Sequence, residues 1–131
     1  MYASSPHILI FGHDAMLQDT RKLILERIGF RVSITGSVAQ TAQTIRAETI
    51  DLLVMCSSVS AKERVEILTV AHKVQPTMKN LIMTVGQDTY PMQVQDTVAD
   101  GFMLPEALVD VVKGLAGLQV GDSVLNLDAA D

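Results

Sequence analysis

Tryptophan is absent from this 131-residue chain, cysteine occurs once, and aromatic residues make up only 4% of it. A single cysteine excludes an internal disulfide scaffold and suits a reducing compartment, so a cytoplasmic protein is expected. Basic residues are scarce: ten Lys and Arg face fifteen Asp and Glu, for a formal charge of −5. Binding to a nucleic-acid backbone relies on clustered cations that release counterions. No basic stripe is present, so direct nucleic-acid binding is not expected. Long apolar runs are missing too. Stretches such as Leu52–Cys56 are five residues long, against the roughly 20 that a membrane-spanning helix needs. Met1–Pro6 has neither a basic residue nor an apolar core, so no secretory signal is expected there.

Hydrophobic residues, by contrast, make up 48% of the chain, which excludes a disordered chain, and the length suits one domain with a sizeable core. Short apolar runs alternate with helical patterns. His7–Phe11 and Asp51–Cys56 read as strands buried on both faces, as does Leu81–Val85, closed by Gly86. Phe30, Val32 and Ile34 alternate with Arg31, Ser33 and Thr35, which predicts an edge strand with one wet face. Asp14 is placed to cap a helix whose apolar face would carry Leu17, Arg21, Ile24 and Ile28, stopped by Gly29. Ser37 opens a helix to Glu48 with Val38, Ala42 and Ile45 inward. Ser60 and Glu63 have the spacing of a capping box, ahead of a helix with Val65, Leu68 and Ala71 inward that ends at Pro76. A weaker helix is expected after Pro91, then a strand over Gly101–Leu104 and a helix over Glu106–Leu118. Strands that alternate with helices, the central three apolar throughout, require a parallel sheet covered on both sides. Gln119–Asp131 falls outside the pattern and leaves open a frayed tail, an extra strand or the start of a linker.

In an open parallel sheet the chemistry sits at the carboxyl ends of the central strands. Here those ends read Phe11-Gly12-His13-Asp14, Met55-Cys56-Ser57-Ser58 and Val85-Gly86-Gln87-Asp88. Neither a G-x-G-x-x-G nor a G-x-x-x-x-G-K-[ST] motif opens any of the helices, so the usual nucleotide cradles are missing. His13 and Cys56 would lie at neighbouring strand ends. That juxtaposition admits a redox or metal sensor, or an enzyme built on a Cys–His pair with Asp14 as a third group. Each residue also has a plainer role: Cys56 as a small buried hydrophobe, Asp14 as a helix cap, His7 on an edge strand, His72 on a helix surface. The seven methionines, scattered over strands and loops, read as core filler.

In the order HILIFGHD, RIGFRV, DLLVMC, NLIMTVG and ADGFMLP, the chain resembles the response-regulator receiver domain from about His7 to Leu118. The resemblance implies a receiver-like domain over residues 1–118 with a tail over 119–131. It implies an α/β fold: a five-stranded parallel sheet, doubly wound, in a flavodoxin-like three-layer sandwich. Receivers hold magnesium with an acidic pair after the first strand; these slots are Gly12 and His13, and only the following Asp14 is acidic. The phosphate-accepting aspartate has its slot at Cys56. The Ser or Thr that ends the fourth strand has its slot at Val85, with Thr84 on the opposite face. Where a lysine precedes the proline after the fifth strand, this chain has Leu104-Pro105, one residue shorter. The switch aromatic would be Phe102, which has no hydroxyl, and Pro105 would follow a cis bond.

These departures imply no metal, no cofactor and no catalytic residue, because a hard cation wants carboxylate oxygens and an acyl phosphate needs a carboxylate nucleophile. The resemblance then points to an atypical receiver of the phosphorelay type. Such a module would bind a protein partner (a kinase, an output protein or a second copy) independently of phosphorylation. A homodimer is expected through the family's usual face, about Pro91–Leu118. On it Leu108, Val112 and Leu115 belong to an apolar arc wider than one buried stripe needs.

Overall fold

The computed structural model describes residues 5–84, 96–100 and 105–116. In chain order the elements are β1 (His7–Phe11), α1 (Ala15–Arg27), β2 (Arg31–Thr35), α2 (Val38–Ala47), β3 (Leu52–Met55), α3 (Ala61–Val74), β4 (Lys79–Thr84), β5 (Asp96–Asp100) and α4 (Pro105–Ala116). The strands form one sheet in the order β2-β1-β3-β4-β5, every pair parallel. This is the doubly wound arrangement expected from the sequence. β2 lies at an edge, as its alternation predicts.

Period-two alternation divides the apolar strands between two cores. Ile8, Ile10, Leu52, Val54, Leu81 and Met83 pack with Leu25 of α1 and with Leu108 and Val112 of α4. Leu9, Phe11, Leu53, Met55 and Ile82 pack on the other side with Ala42 and Ile45 of α2 and with Ile67, Leu68 and Ala71 of α3. Removing each such Leu or Ile from water contributes about 1.5–3 kcal/mol, so the two layers are the main support of the sheet.

The helix starts follow their caps. The Asp14 carboxylate accepts the Leu17 N–H at 3.1 Å, and the Ser37 hydroxyl accepts the Gln40 N–H at 3.1 Å. Ser60 and Glu63 form the reciprocal capping box. Gly29, just past α1, has φ 110°, a left-handed conformation that costs a side chain dearly and glycine little.

Several expectations need correction. On α1 Arg21 is inward as expected, but it is joined there by Gln18 and Leu25, while Leu17 is exposed. On α3, Arg64 and Ile67 face inward and Val65 is exposed. Both arginines bury their long stems against the sheet and carry the guanidinium toward the strand ends, which an apolar count along the helix does not register. His7 is not on an edge strand. It lies buried in β1, the second strand of the sheet, with Nε2 2.8 Å from Ser33 Oγ. His72 is not a free surface residue either, since its Nε2 meets the buried Asp96 carboxylate at 3.0 Å. The last strand is Asp96–Asp100, directly upstream of the expected Gly101–Leu104, and residues 101–104 lie outside the described set. The helix expected after Pro91 also falls on undescribed residues up to 95.

The expected contact face on the last helix is corrected most. Val112 is 0% exposed and Leu108 5%, because positions four apart on α4 point into the same core layer. Val109, Val111, Leu115 and Ala116 are half-buried against that layer. The wide apolar arc is therefore mostly absorbed by the sheet, and Val112 cannot be the centre of an exposed patch.

Candidate functional site

The carboxyl ends of β1 and β3 meet in register, Ile10 opposite Val54 and Phe11 opposite Met55, which sets Gly12 beside Cys56. The Cys56 N–H donates to the Phe11 carbonyl at 2.9 Å and the Gly12 N–H to the Thr35 carbonyl at 3.2 Å, so backbone bonds hold both turns. The two turns are also tied by side chains, since the His13 N–H donates to Ser58 Oγ at 2.9 Å.

Little room is left at Gly12. A Cβ there would stand 2.9 Å from Cys56 Cβ, 3.1 Å from Cys56 Sγ and 3.3 Å from Ser58 Oγ. Close approach favours glycine here, since any larger side chain, a carboxylate included, has to push Cys56 and Ser58 aside. Cys56 is 3% exposed and belongs to the core layer facing α1 and α4. Its sulfur accepts a hydrogen bond from Arg21 Nη1 at 3.3 Å. Burial pushes the thiol above its ordinary range; the charge and hydrogen bond of Arg21 pull the other way but do not offset it. Asp14 adds to the rise and Arg64 opposes it.

His13 faces the opposite side. Its Nε2 lies 2.9 Å and 3.1 Å from the two Glu63 carboxylate oxygens, and its ring packs edge-on against Phe11. The Ser60 backbone N–H, and after it the His13 ring, hold the Glu63 carboxyl below its usual range. His13 and Cys56 are thus neighbours along the strand ends but engage different partners, α3 for one and α1 for the other. Alternation explains the split: successive residues leave the sheet on opposite faces. The geometry does not join them as a nucleophile and base.

Gly12 thus lies beside Cys56 and His13 is tied to Ser58 of the same turn, while Asp14 caps α1; Arg21 as a partner of Cys56 and Glu63 as a partner of His13 were not expected from the sequence. A signal for the second pair existed, because Glu63 already belonged to the capping box and so was fixed at the start of α3. Val85, Phe102 and Leu104 lie outside the described residues, and with Leu104 goes its bond to Pro105. Pro105 opens α4. Thr84 alternates onto the α2/α3 side with Ile82, away from the Cys56 side.

Receivers use magnesium, and these residues do not fit it. Gly12 offers no ligand, the His13 ring is engaged by Glu63, and Cys56 is a buried thiol facing a guanidinium. A hard, octahedral cation needs oxygens in these places. Among the described residues no cluster of three or more His, Cys, Asp or Glu could hold a metal ion. Among the same residues no helix is long and apolar enough to cross a membrane.

No protein-family model matches the sequence, and the search of curated proteins found no match. Solved structures do match. A response regulator receiver domain protein (CheY-like) from Methanospirillum hungatei JF-1 is 25% identical, with a TM-score of 0.73 over 87% of this chain and 95% of that one. A response regulator receiver protein from Sinorhizobium medicae WSM419 is 17% identical, with a TM-score of 0.72 over 86% and 95%. A two component transcriptional regulator AraC from Clostridium phytofermentans ISDg is 15% identical, with a TM-score of 0.73 over 97% and 100%. The last two likenesses concern the fold. The fold is the flavodoxin-like one of CheY-like receiver domains.

Proposed function

We propose that this chain is an atypical receiver, a cytoplasmic signalling domain of the two-component type that acts by binding another protein and not as an enzyme. The carrying observation is the closed contact between Gly12 and Cys56, where a Cβ on residue 12 would already stand 2.9 Å from Cys56 Cβ. Phosphoryl transfer to a receiver needs a carboxylate acceptor and magnesium ligands, and this contact leaves neither in place. Gly12, His13, Asp14, Cys56, Val85 and Leu104 are then the remnants of a phosphoacceptor pocket, with Phe102 the remnant of its switch.

The partner is a kinase, an output protein or a second copy of the chain; a nucleic acid or a membrane surface is disfavoured by the net charge of −5. With Val112 and Leu108 buried and Val111 and Leu115 packed against the same layer, the described part of α4 has no exposed apolar centre for a homodimer. Incubation with acetyl phosphate and magnesium, followed by intact-mass measurement, tests the reading. The mass is expected to stay unchanged. A stable increment of one phosphoryl group at the strand ends would overturn it.

A further inference from the structure

Arg21 is a permanent cation, 7% exposed, and Cys56 Sγ is the acceptor its Nη1 reaches, at 3.3 Å. It rises from the inward face of α1 to the end of β3, beside the Gly12 contact. Arg64 approaches the next strand end, donating from Nη2 to the Met83 carbonyl at 2.9 Å, and is 3% exposed. Of the charged groups that act on the Cys56 thiol, two are these arginines and one is Asp14. A guanidinium stays charged at any ordinary pH, so its field in this water-poor layer does not switch off.

We infer that Arg21 reverses the sign of the strand-end site: a cation belonging to the chain stands on the residue in the acceptor slot, next to the slots where receivers hold their metal, and it excludes divalent metal. This inference rests on the receiver reading and deepens it. It makes Arg21 a positioning residue that ties α1 to the end of β3 without metal. Restoring acids at positions 13 and 56 would then give an Asp–Arg pair and no magnesium site, because the carboxylate at 56 would be taken by the guanidinium already beside it.

The test compares thermal unfolding with and without millimolar magnesium at constant ionic strength. The proteins are the wild type, the acid-restored variant His13→Asp/Cys56→Asp, and that variant with Arg21→Met added. The wild type and the acid-restored variant should unfold at the same temperature with and without the metal. With Arg21→Met added, two carboxylates are free of the guanidinium, and this variant should gain several degrees on adding it. A magnesium-dependent rise for the acid-restored variant that keeps Arg21, or no rise once Arg21 is removed, overturns the inference. Should the acid-restored variants not fold, the wild type decides the matter through manganese and amide NMR spectra. Signals of Gly12, His13 and Cys56 should keep their widths, and selective broadening there refutes exclusion. The two ideas fail separately. A phosphorylated wild type that ignores magnesium sinks only the interaction-module reading, and a magnesium-responsive but unphosphorylated one sinks only the inference.

Discussion

The imidazole of His13 and the carboxylate of Glu63, fifty positions apart in sequence, meet at 2.9 Å across the turns that follow β1 and β3. The same carboxylate accepts the Ser60 N–H at 2.9 Å, so one side chain caps α3 and anchors the β1–α1 turn. Its ionised form is favoured in the folded protein and its pKa lies below the ordinary 4.5. A depressed carboxyl contributes stability that is present above the unfolded value and is lost as pH falls through the folded one. Stability should therefore decline as pH drops below 4.5, and Glu63→Gln should flatten that decline. Urea unfolding across the acid range measures it; an equal slope in the variant would remove Glu63 as a contributor.

Gly12→Ala should cost about 1–3 kcal/mol, the usual range for overpacking a filled site. Part of that loss should be relieved when Cys56 is shortened as well. The double variant Gly12→Ala/Cys56→Ala should be more stable than the summed single losses by at least about 0.5 kcal/mol. Strict additivity in denaturant titrations would mean that the sulfur carries none of the loss and that the contact with Cys56 Cβ, which alanine keeps, carries it.

Val112→Asp should destabilise the domain by at least about 3 kcal/mol, because it buries a charge with no partner in the layer between α4 and the sheet. Loss of the cooperative transition, read by far-ultraviolet circular dichroism, is the expected outcome. A variant that keeps wild-type stability would place α4 away from the core.

The Cys56 thiol, buried and pushed up in pKa, should react slowly with a disulfide reagent in the native protein and stoichiometrically in denaturant. Fast native labelling would return a reactive-thiol role to the site.

What the sequence discloses and what it hides follow a physical division. Caps and turns depend on a few adjacent residues, so Asp14, Ser37, the Ser60–Glu63 box and Gly29 were legible. So were β1, β3 and β4, whose continuous apolar runs admit only burial on both faces. Hidden were the features set by long-range partners. Arg64 looks like a surface residue until the sheet is in place to cover its stem, and Arg21, though expected on the inward face of its helix, does not disclose Cys56 as its partner. β5 is hidden for a related reason: DTVAD has no apolar run, and Asp96 is buried with its carboxylate held by partners distant in sequence, Asn80 and His72 among them. At the candidate site the cluster Gly12, His13 and Cys56 was legible, while the partners that separate His13 from Cys56 were not.

The Asn80–Asp96 contact has a consequence for assembly of the sheet. The two residues stand directly opposite each other on β4 and β5, and Asn80 Nδ2 donates to Asp96 Oδ1 at 2.7 Å. A slip of β5 by one position would turn its whole set of side chains over, leaving Thr97 where the acid belongs and setting Asp96 against the α4 layer. The apolar content of β5 is too thin to penalise that mistake. A buried amide–carboxylate pair penalises it instead, since a mispaired β5 leaves a charge and an amide without their bond inside the protein. The strand with the weakest hydrophobic signal thus has its alignment specified by polar chemistry.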